Sequence, residues 1–365
     1  MNRSRRILKT LTALAALALT PLTRAQTPSP TDPIVFAYFQ EPANQGIYLA
    51  LSRDGYTFTP LNDGQPWLKP DQPGELMRDV YITRTPDGAH FRMVFTWAWH
   101  GNAIGISGSD DLLHWSPQRR IEIMSAFPNV QNTWAPETYW DAQHNDWLIV
   151  WSSSFNATTN PGAPSSPTAL PSAKVGSAAP PAKLPSSPHA TTSSSQQQPA
   201  EGLRLWAAHT KDWQTFSTPE KFFDRGFPVI DATLFHRTLK GKSDVVMVFK
   251  DQTTDPLRYN ERWTSGPTVT GPWGQLSAPI NEPWSEGPSV IQVGDKFIVY
   301  YDHYRPPNPR YEGVETTDWV HWTSINDKMH LPANCKHGSF FRVTEAEAQR
   351  LLARHDPKSP ESPAP

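Results

Sequence analysis

The chain has 365 residues, a formal net charge of -2 and a charged fraction of 19%. This length allows one large domain or two ordinary ones, and the near-neutral charge without a basic stripe excludes a typical nucleic-acid-binding protein. The 15 Trp, 10 Tyr and 16 Phe are a high aromatic content, which suits either a packed core or a sugar-binding surface.

The N-terminal segment is typical of an export signal. Basic residues precede a short apolar run from Leu11 to Leu22, and a cleavage site follows at Thr23-Arg24-Ala25. We therefore predict a signal peptide over residues 1–25 and a mature chain exported to the periplasm or the extracellular space. No segment reaches the roughly 20 apolar residues of a membrane helix. Cys335 is the only cysteine, so no internal disulfide can form. We also expect a monomer.

Short apolar runs separated by turn residues predict an all-β domain over residues 26–355. In chain order the clearest runs are Ile34–Phe39, Ile47–Leu51, Phe91–Trp97, Trp147–Trp151, Val245–Phe249 and Phe297–Tyr301. Residues 156–200 are rich in Pro, Ala, Ser, Thr, Gly and Gln, which predicts a disordered low-complexity insertion because there is little apolar surface to bury. A helix is predicted at Ala348–Leu352, after a capping box formed by Thr344 and Glu347. A Pro-rich tail covers residues 356–365.

An internal repeat predicts the architecture. The pattern Ser/Thr-x-Asp-x-x-x-aromatic begins at Ser52, Ser109, Thr210 and Thr316, and a degenerate copy spans Ser265–Trp273. Without the insertion the copies recur about every 55 residues, which leaves room for four short strands in each of five units. Five such units predict a five-bladed β-propeller. We expect interleaved termini to close it, with the first two strands lying outside an inner strand that follows His337.

Polar residues recur just before the first strand of each predicted unit. They are Asp79, Glu137, Asp231, Glu286 and His337. Because the innermost strand of each blade lines the axis, the recurrence predicts that these side chains surround one end of a central channel. Hydrolysis of a glycosidic bond needs one protonated carboxyl to assist the leaving oxygen and one ionised carboxylate to activate water. A single acid more often binds a cation or caps a strand, but four at one rim favour a catalytic centre.

Four motifs resemble glycoside hydrolase family 43 (GH43) in order and spacing, over roughly residues 34–345. They are Arg78-Asp79, Trp134-Ala-Pro-Glu137, Ile230-Asp231-Ala-Thr-Leu-Phe235 and Glu286-Gly-Pro-Ser289. The resemblance implies a propeller enzyme that inverts arabinofuranosides, xylosides or related plant sugars. It further implies Asp79 as general base, Glu286 as general acid and Asp231 as the carboxylate that orients and tunes the acid. Val80 departs from the family pattern, which usually has Pro there.

Further residues are candidates for contact with the sugar or an ion. The resemblance suggests a sugar contact for Glu137, and the positions of other residues beside the acidic motifs or after a strand add Trp134, Trp284, Arg78 and Arg305 as candidate substrate-binding residues. For Arg305, a surface ion pair is the alternative role. His337 resembles an axial histidine that contacts calcium or water in some relatives, and a hydrogen-bonded structural histidine is the alternative. No cofactor is otherwise expected.

Two other functions stay open at this point. Ser52-Arg-Asp54-Gly55 is similar to the Asp-box turn of sialidase-like propellers, but sialidase chemistry needs three axial arginines and a tyrosine nucleophile. No Arg recurs at the axial positions. The other alternative is a non-catalytic carbohydrate-binding propeller, which the presence of all three catalytic carboxylates disfavours.

Overall fold

A computed structural model describes residues 27–72, 74–156 and 201–354. The predicted signal peptide over residues 1–25, the insertion apart from Asn156, and the predicted tail lie outside the described residues. Among the described segments, no helix is long and apolar enough to cross a membrane.

The described chain is almost entirely β-structure, with a 3₁₀ turn at Asn62–Gly64 and one α-helix near the end. Its strands are β1 (Ile34–Phe39), β2 (Ile47–Ser52), β3 (Thr59–Pro60), β4 (Arg78–Arg84), β5 (Phe91–Thr96), β6 (Ile104–Ser109), β7 (Arg119–Ile121), β8 (Trp134–Asp141), β9 (Asp146–Phe155), β10 (Glu201–Thr210), β11 (Glu220–Phe223), β12 (Val229–Leu239), β13 (Lys242–Asp251), β14 (Asn260–Gly266), β15 (Ser285–Val293), β16 (Lys296–His303), β17 (Arg310–Thr316), β18 (Thr323–Ser324) and β19 (Lys336–Arg342). The helix α1 spans Glu345–Ala353 and begins with the predicted capping box, in which Thr344 accepts a hydrogen bond from the N–H of Glu347.

These strands form five antiparallel sheets, which are the five predicted blades. The sheets are β4-β5-β6-β7, β8-β9-β10-β11, β12-β13-β14, β15-β16-β17-β18 and β19-β1-β2-β3. The inner strands β4, β8, β12, β15 and β19 contact one another in that order, and β19 contacts β4. The ring is therefore closed, and the predicted five-bladed β-propeller is confirmed.

The blade that closes the ring joins both ends of the domain. Strand β1 pairs with β19 from Ile34 opposite Arg342 to Phe39 opposite Lys336, and with β2 on its other side. The predicted interleaving of the terminal strands is therefore confirmed.

The third blade has three strands, so the expectation of four strands in every unit is wrong there. This blade carries the degenerate repeat Ser265–Trp273. After this repeat the N–H groups of Gly274, Ser277 and Ile280 still donate to carbonyl oxygens of β14, but they do so only at every third residue, so no regular fourth strand forms. In the other blades the repeated motif forms a polar turn between the third and fourth strands. At Ser109, for example, the hydroxyl accepts from the N–H of Leu112 at 2.8 Å, and Asp111 Oδ1 accepts from the N–H of His114 at 2.8 Å.

A β-bulge near the start of every inner strand changes the direction of the side chains at one end of the channel. In each, two inner-strand residues oppose one residue of the neighbouring strand. The bulges fall between Arg78 and Tyr81, Trp134 and Glu137, Ile230 and Thr233, Glu286 and Ser289, and Lys336 and Ser339. Bulges of this kind bend a strand and re-aim its side chains, and all five lie at the same end of the channel.

Candidate active site

The bulges show how the five predicted polar residues are placed. Asp79, Asp231 and His337 occupy the first bulge position of their strands, whereas Glu286 lies one residue earlier and Glu137 two residues later. The five residues therefore do not share one register, and they lie within their inner strands or at the first residues of these strands, not before them. The extra residue that a bulge adds to a strand does not show in the spacing of the motifs.

Asp79 is buried and is held by hydrogen bonds from a neighbouring strand and a neighbouring blade. Its Oδ2 accepts a hydrogen bond from Thr96 Oγ1 at 2.7 Å, and its Oδ1 lies 3.5 Å from His337 Nδ1. Burial alone raises the pKa of Asp79, but the positive charge of Arg78 and the contact with His337 outweigh burial and lower the pKa to about 2. Asp79 is therefore an ionised carboxylate at neutral pH, as a general base must be.

Asp231 binds the backbone beside the predicted acid. Its Oδ2 accepts a hydrogen bond at 3.2 Å from the N–H of Gly287, the residue that follows Glu286. Burial raises the pKa of Asp231 to about 6, with the charge of Glu286 adding to burial and that of His337 opposing it. Asp231 thus fixes the chain next to Glu286 and ionises below neutral pH.

Glu286 is the most accessible of the three carboxylates, with 31% of its side chain exposed against 9% for Asp79 and 8% exposure for Asp231. Its Oε2 accepts a hydrogen bond from Lys250 Nζ at 2.9 Å. Lys250 is buried, and its ammonium lies 4.3 Å from the centre of the Tyr304 ring. The Glu286 carboxylate therefore binds a buried ammonium group and remains partly exposed to solvent.

His337 lies among the acids at the axis. Burial lowers the pKa of His337, but its contact with Asp79 and the charges of Asp231 and Asp79 outweigh burial and raise the pKa to about 9. The ring is therefore a cation at neutral pH. A Cβ on Gly287 would lie 2.4 Å from Cγ of His337, so only glycine fits beside the imidazole.

Glu137 lies deeper in the channel than the other acids. It accepts a hydrogen bond from the hydroxyl of Tyr139, and burial raises its pKa to about 8, so it is protonated at neutral pH. The contacts seen for Glu137 are with protein groups. The predicted sugar contact of Glu137 stays a prediction.

Aromatic and arginine side chains lie near the start of β8. Trp134 donates from Nε1 to the carbonyl oxygen of Trp99 at 2.9 Å, and the two rings meet edge to face. The guanidinium of Arg78 lies 3.6 Å from the centre of the Trp99 ring and binds Glu41 at 2.7 Å. Trp99 is 47% exposed, so its ring is open to solvent.

A second aromatic cluster lies next to Glu286. Trp284 contacts the rings of Tyr259 and Tyr304 edge to face, with centroids 5.2 Å and 6.0 Å apart. The guanidinium of Arg305 lies 4.9 Å from the centre of the Trp284 ring. The contact seen for Arg305 is therefore with an aromatic ring.

Sequence reasoning missed several side chains near the site that belong to the second strand of a blade. Thr96, Lys250 and Asp302 lie opposite Arg78, Ile230 and Glu286 in the neighbouring strands β5, β13 and β16. A signal was present, because the second strand of an antiparallel hairpin ends where the first begins. The polar residues that end the apolar runs beginning at Phe91, Val245 and Phe297 could therefore have been placed at the same end of the channel as the predicted acids.

The whole-chain comparison identifies the family. A family model described as a probable glycosyl hydrolase domain, related to GH43, matches residues 30–169 and 186–349. The chain belongs to this GH43-related glycosyl hydrolase family. The resemblance seen in its four motifs is therefore confirmed.

Individual relatives of this GH43-related chain are distant. It is 25% identical over 197 residues to an α-L-arabinofuranosidase of Bifidobacterium longum subsp. longum, which covers 50% of the chain and 16% of the relative. The chain thus matches only about a sixth of that curated protein's length.

Two solved structures are also similar. A GH43 β-1,3-galactosidase matches with a TM-score of 0.50 at 10% identity, over 81% of this chain and 58% of that one. An α-L-arabinofuranosidase from Lactobacillus brevis matches with a TM-score of 0.41 at 15% identity, over 68% and 72%. At such identities the galactosidase match supports the shared fold and nothing finer.

Proposed function

We propose that the chain is an exported glycoside hydrolase that cleaves arabinofuranosides, xylosides or related plant sugars with inversion at the anomeric carbon. One observation carries the proposal. Asp231 binds the backbone N–H next to Glu286, and Asp79 approaches the imidazolium of His337, which the charge of Asp231 also stabilises. The three carboxylates, which come from three blades, are therefore linked at one rim.

Each acid has a separate task in this reaction. Asp79 takes a proton from a water whose oxygen bonds to the anomeric carbon, and Glu286 gives a proton to the leaving oxygen as its bond to that carbon breaks. Inversion requires the water to fit between these two residues, with their carboxyls roughly 6.5–9.5 Å apart. Asp231 holds the chain beside the acid by accepting a hydrogen bond from the N–H of Gly287.

Asp231→Asn should move the alkaline limb of the pH–rate profile about one unit toward lower pH. The pKa of Asp231 is about 6, so Asp231 is charged at neutral pH and opposes a second negative charge nearby. The amide removes the repulsion between the two carboxylates, which contributes to the raised pKa of Asp231. The measurement is kcat/KM against pH with an alkyl glycoside. A slower enzyme with an unchanged profile would limit Asp231 to a role in orientation.

We further propose that His337 acts as a fixed cation and not as a calcium ligand. A ring nitrogen that carries a proton does not ligate a metal, and calcium prefers six to eight oxygen ligands. The contact of His337 Nδ1 with Asp79 Oδ1 at 3.5 Å and the preference of calcium for oxygen ligands both disfavour an ion held by this ring. The residues around His337 do fit an imidazolium that balances the charges of Asp79 and Asp231.

Exhaustive chelation should leave kcat/KM at 25 °C within about twofold of the untreated value, because the site obtains its positive charge from His337. The assay compares protein dialysed against EDTA with the same protein after calcium is returned. A loss of activity that calcium restores and magnesium does not would show that an axial ion is required.

A screen with aryl arabinofuranosides, xylosides, galactofuranosides and β-galactosides tests the activity. The β-galactosides are included because a structurally similar protein is a β-1,3-galactosidase. We expect hydrolysis of at least one furanoside or pyranoside, with proton NMR showing the inverted anomer as the first product. Retention of configuration would refute the mechanism. Sugar binding without cleavage would favour a non-catalytic carbohydrate-binding propeller.

A further inference from the structure

The second blade carries a cluster of metal-ligating side chains far from the axial acids. Strand β8 begins at the candidate active site with Trp134 and ends at Asp141, where a tight hairpin leads to Asp146 at the start of β9. Asp141 and Asp146 lie directly opposite each other in this antiparallel pair. The hairpin therefore places two carboxylates side by side at the opposite end of the blade from the catalytic residues.

Two histidines complete this group, which we call the hairpin cluster (Asp141, His144, Asp146 and His209). His144 Nδ1 lies 2.7 Å from Asp141 Oδ2, and His209 Nδ1 lies 3.0 Å from Asp146 Oδ1. One ligand atom from each of Asp141, Asp146 and His209 lies within 4.8 Å of the others. The two imidazole rings are 5.9 Å apart.

The charge of the hairpin cluster favours a divalent cation. The Asp141 side chain is only 1% exposed and that of Asp146 12%. Like charges directly opposite in a sheet are destabilising, and burial strengthens their repulsion. The two carboxylates carry two negative charges, which one divalent ion balances once it has displaced any proton from the imidazoles. His144 is 59% exposed, which leaves an approach from solvent.

The chain contains its own comparison for this arrangement. The same Asp-x-x-His turn occurs at Asp111–His114 and at Asp318–His321, with Nδ1 to Oδ2 distances of 2.8 Å and 2.7 Å. Over the described ranges, however, three candidate ligands converge only at Asp141, Asp146 and His209. An Asp-x-x-His turn by itself therefore does not bring three ligands together. The hairpin cluster differs from the other two turns because it contains a second Asp–His pair, Asp146 and His209.

We propose that the hairpin cluster binds one divalent transition-metal ion of the zinc class. Carboxylate oxygens and imidazole nitrogens are ligands that zinc takes in tetrahedral sites, at about 2.0–2.2 Å. The two nitrogen donors disfavour calcium and magnesium, which prefer oxygen ligands. Small side-chain rotations bring the ligand atoms to bonding distance. Asp141, Asp146 and His209 hold the ion, and His144 supplies the fourth ligand.

The ion has a structural consequence for this blade. Its ligands come from β8, β9 and β10, and the connection from β9 to β10 contains residues 157–200. The two strands pair at the far end of the blade, where His209 lies opposite Leu148. The connection joins the end of β9 at Phe155 to the start of β10 at Glu201. A metal ion held by Asp146 and His209 would join the same two strands at their other ends.

The test uses the full chain without a histidine tag, stripped with EDTA and then titrated with zinc chloride. We expect one bound zinc per chain that is lost in the variant His209→Gln, or at least about tenfold weaker binding there. Saturating zinc should raise the Tm of the wild type by about 5 °C, and calcium chloride should not. The matched control is His321→Gln, in the Asp318–His321 turn that lacks a second Asp–His pair. This variant should keep both the bound zinc and the Tm shift.

The difference between variants makes the result decisive even if the axial carboxylates also collect zinc. A wild type whose Tm and zinc content do not respond would overturn the proposal. So would equal zinc content and equal Tm shifts in the wild type and His209→Gln. If His209→Gln does not fold by circular dichroism, the exposed variant His144→Gln replaces it and should bind zinc at least about tenfold more weakly than the wild type. Full affinity in His144→Gln would then contradict the four-ligand site.

Discussion

Replacing Asp79 with Asn should lower kcat/KM by about 10³- to 10⁴-fold for every substrate that the wild type cleaves. The amide keeps the size of the side chain and an oxygen to accept from Thr96 Oγ1, which lies 2.7 Å away. It cannot take a proton from water. All substrates need this water, so the loss should not depend on the leaving group.

The matched control for this variant is Asp244→Asn. Asp244 pairs with Arg237 Nε at 2.8 Å, in the hairpin at the end of the third blade away from the site, and its replacement should leave activity unchanged. Kinetics with a dinitrophenyl glycoside and an alkyl glycoside give the two rates. Equal activity of Asp79→Asn and wild type, with both proteins folded, would remove Asp79 from the reaction.

Glu286→Gln should slow alkyl glycosides by about 10²- to 10⁴-fold but dinitrophenyl glycosides by less than about tenfold. A dinitrophenolate leaves without a proton, whereas an alkoxide does not. The Gln oxygen can still accept from Lys250 Nζ, which lies 2.9 Å from Glu286 Oε2, so the fold around the buried lysine is kept. The contrast between leaving groups therefore reports proton donation alone.

The control for the acid is Glu282→Gln, an exposed glutamate four residues earlier, which should behave as wild type with both leaving groups. If Glu286→Gln slowed both classes of substrate equally, Glu286 would not be the general acid. Together with Asp79→Asn, which should slow both classes, this variant separates the base from the acid.

Much of the fold could be predicted from the sequence because its signals are local and repeated. The Ser/Thr-x-Asp turns recur at blade spacing, and each forms its own hydrogen bonds within three residues, as Ser109 does with Leu112. The capping box of Thr344 and Glu347 is equally local. The terminal strands could be assigned to one blade because the repeat that begins at His337 has an inner strand only, and the first two strands of the chain supply its outer strands.

The finer layout of the site could not be predicted because it depends on pairing between strands. The bulge at Ala135 and Pro136 moves Glu137 down the channel, where it contacts Tyr139. Lys250 stands in a run of buried residues, and only the pairing of β12 with β13 brings it to the rim. The irregular edge of the third blade likewise depends on pairing, because the segment after Gly266 bonds to β14 only at every third residue.

The closure of the ring by β1 and β19 also makes the chemistry depend on complete synthesis. These strands lie about 300 residues apart in the chain, so their pairing is the most non-local contact of the fold and costs the most entropy to form. His337 is on β19, so a chain that ends before residue 336 carries Asp79 and Asp231 without their imidazolium and without a closed ring. A fragment released early from the ribosome, or trimmed from its C-terminal end, would lose the imidazolium beside Asp79 while keeping all three acids. Ring closure and the axial imidazolium thus both depend on β19, the last strand of the propeller.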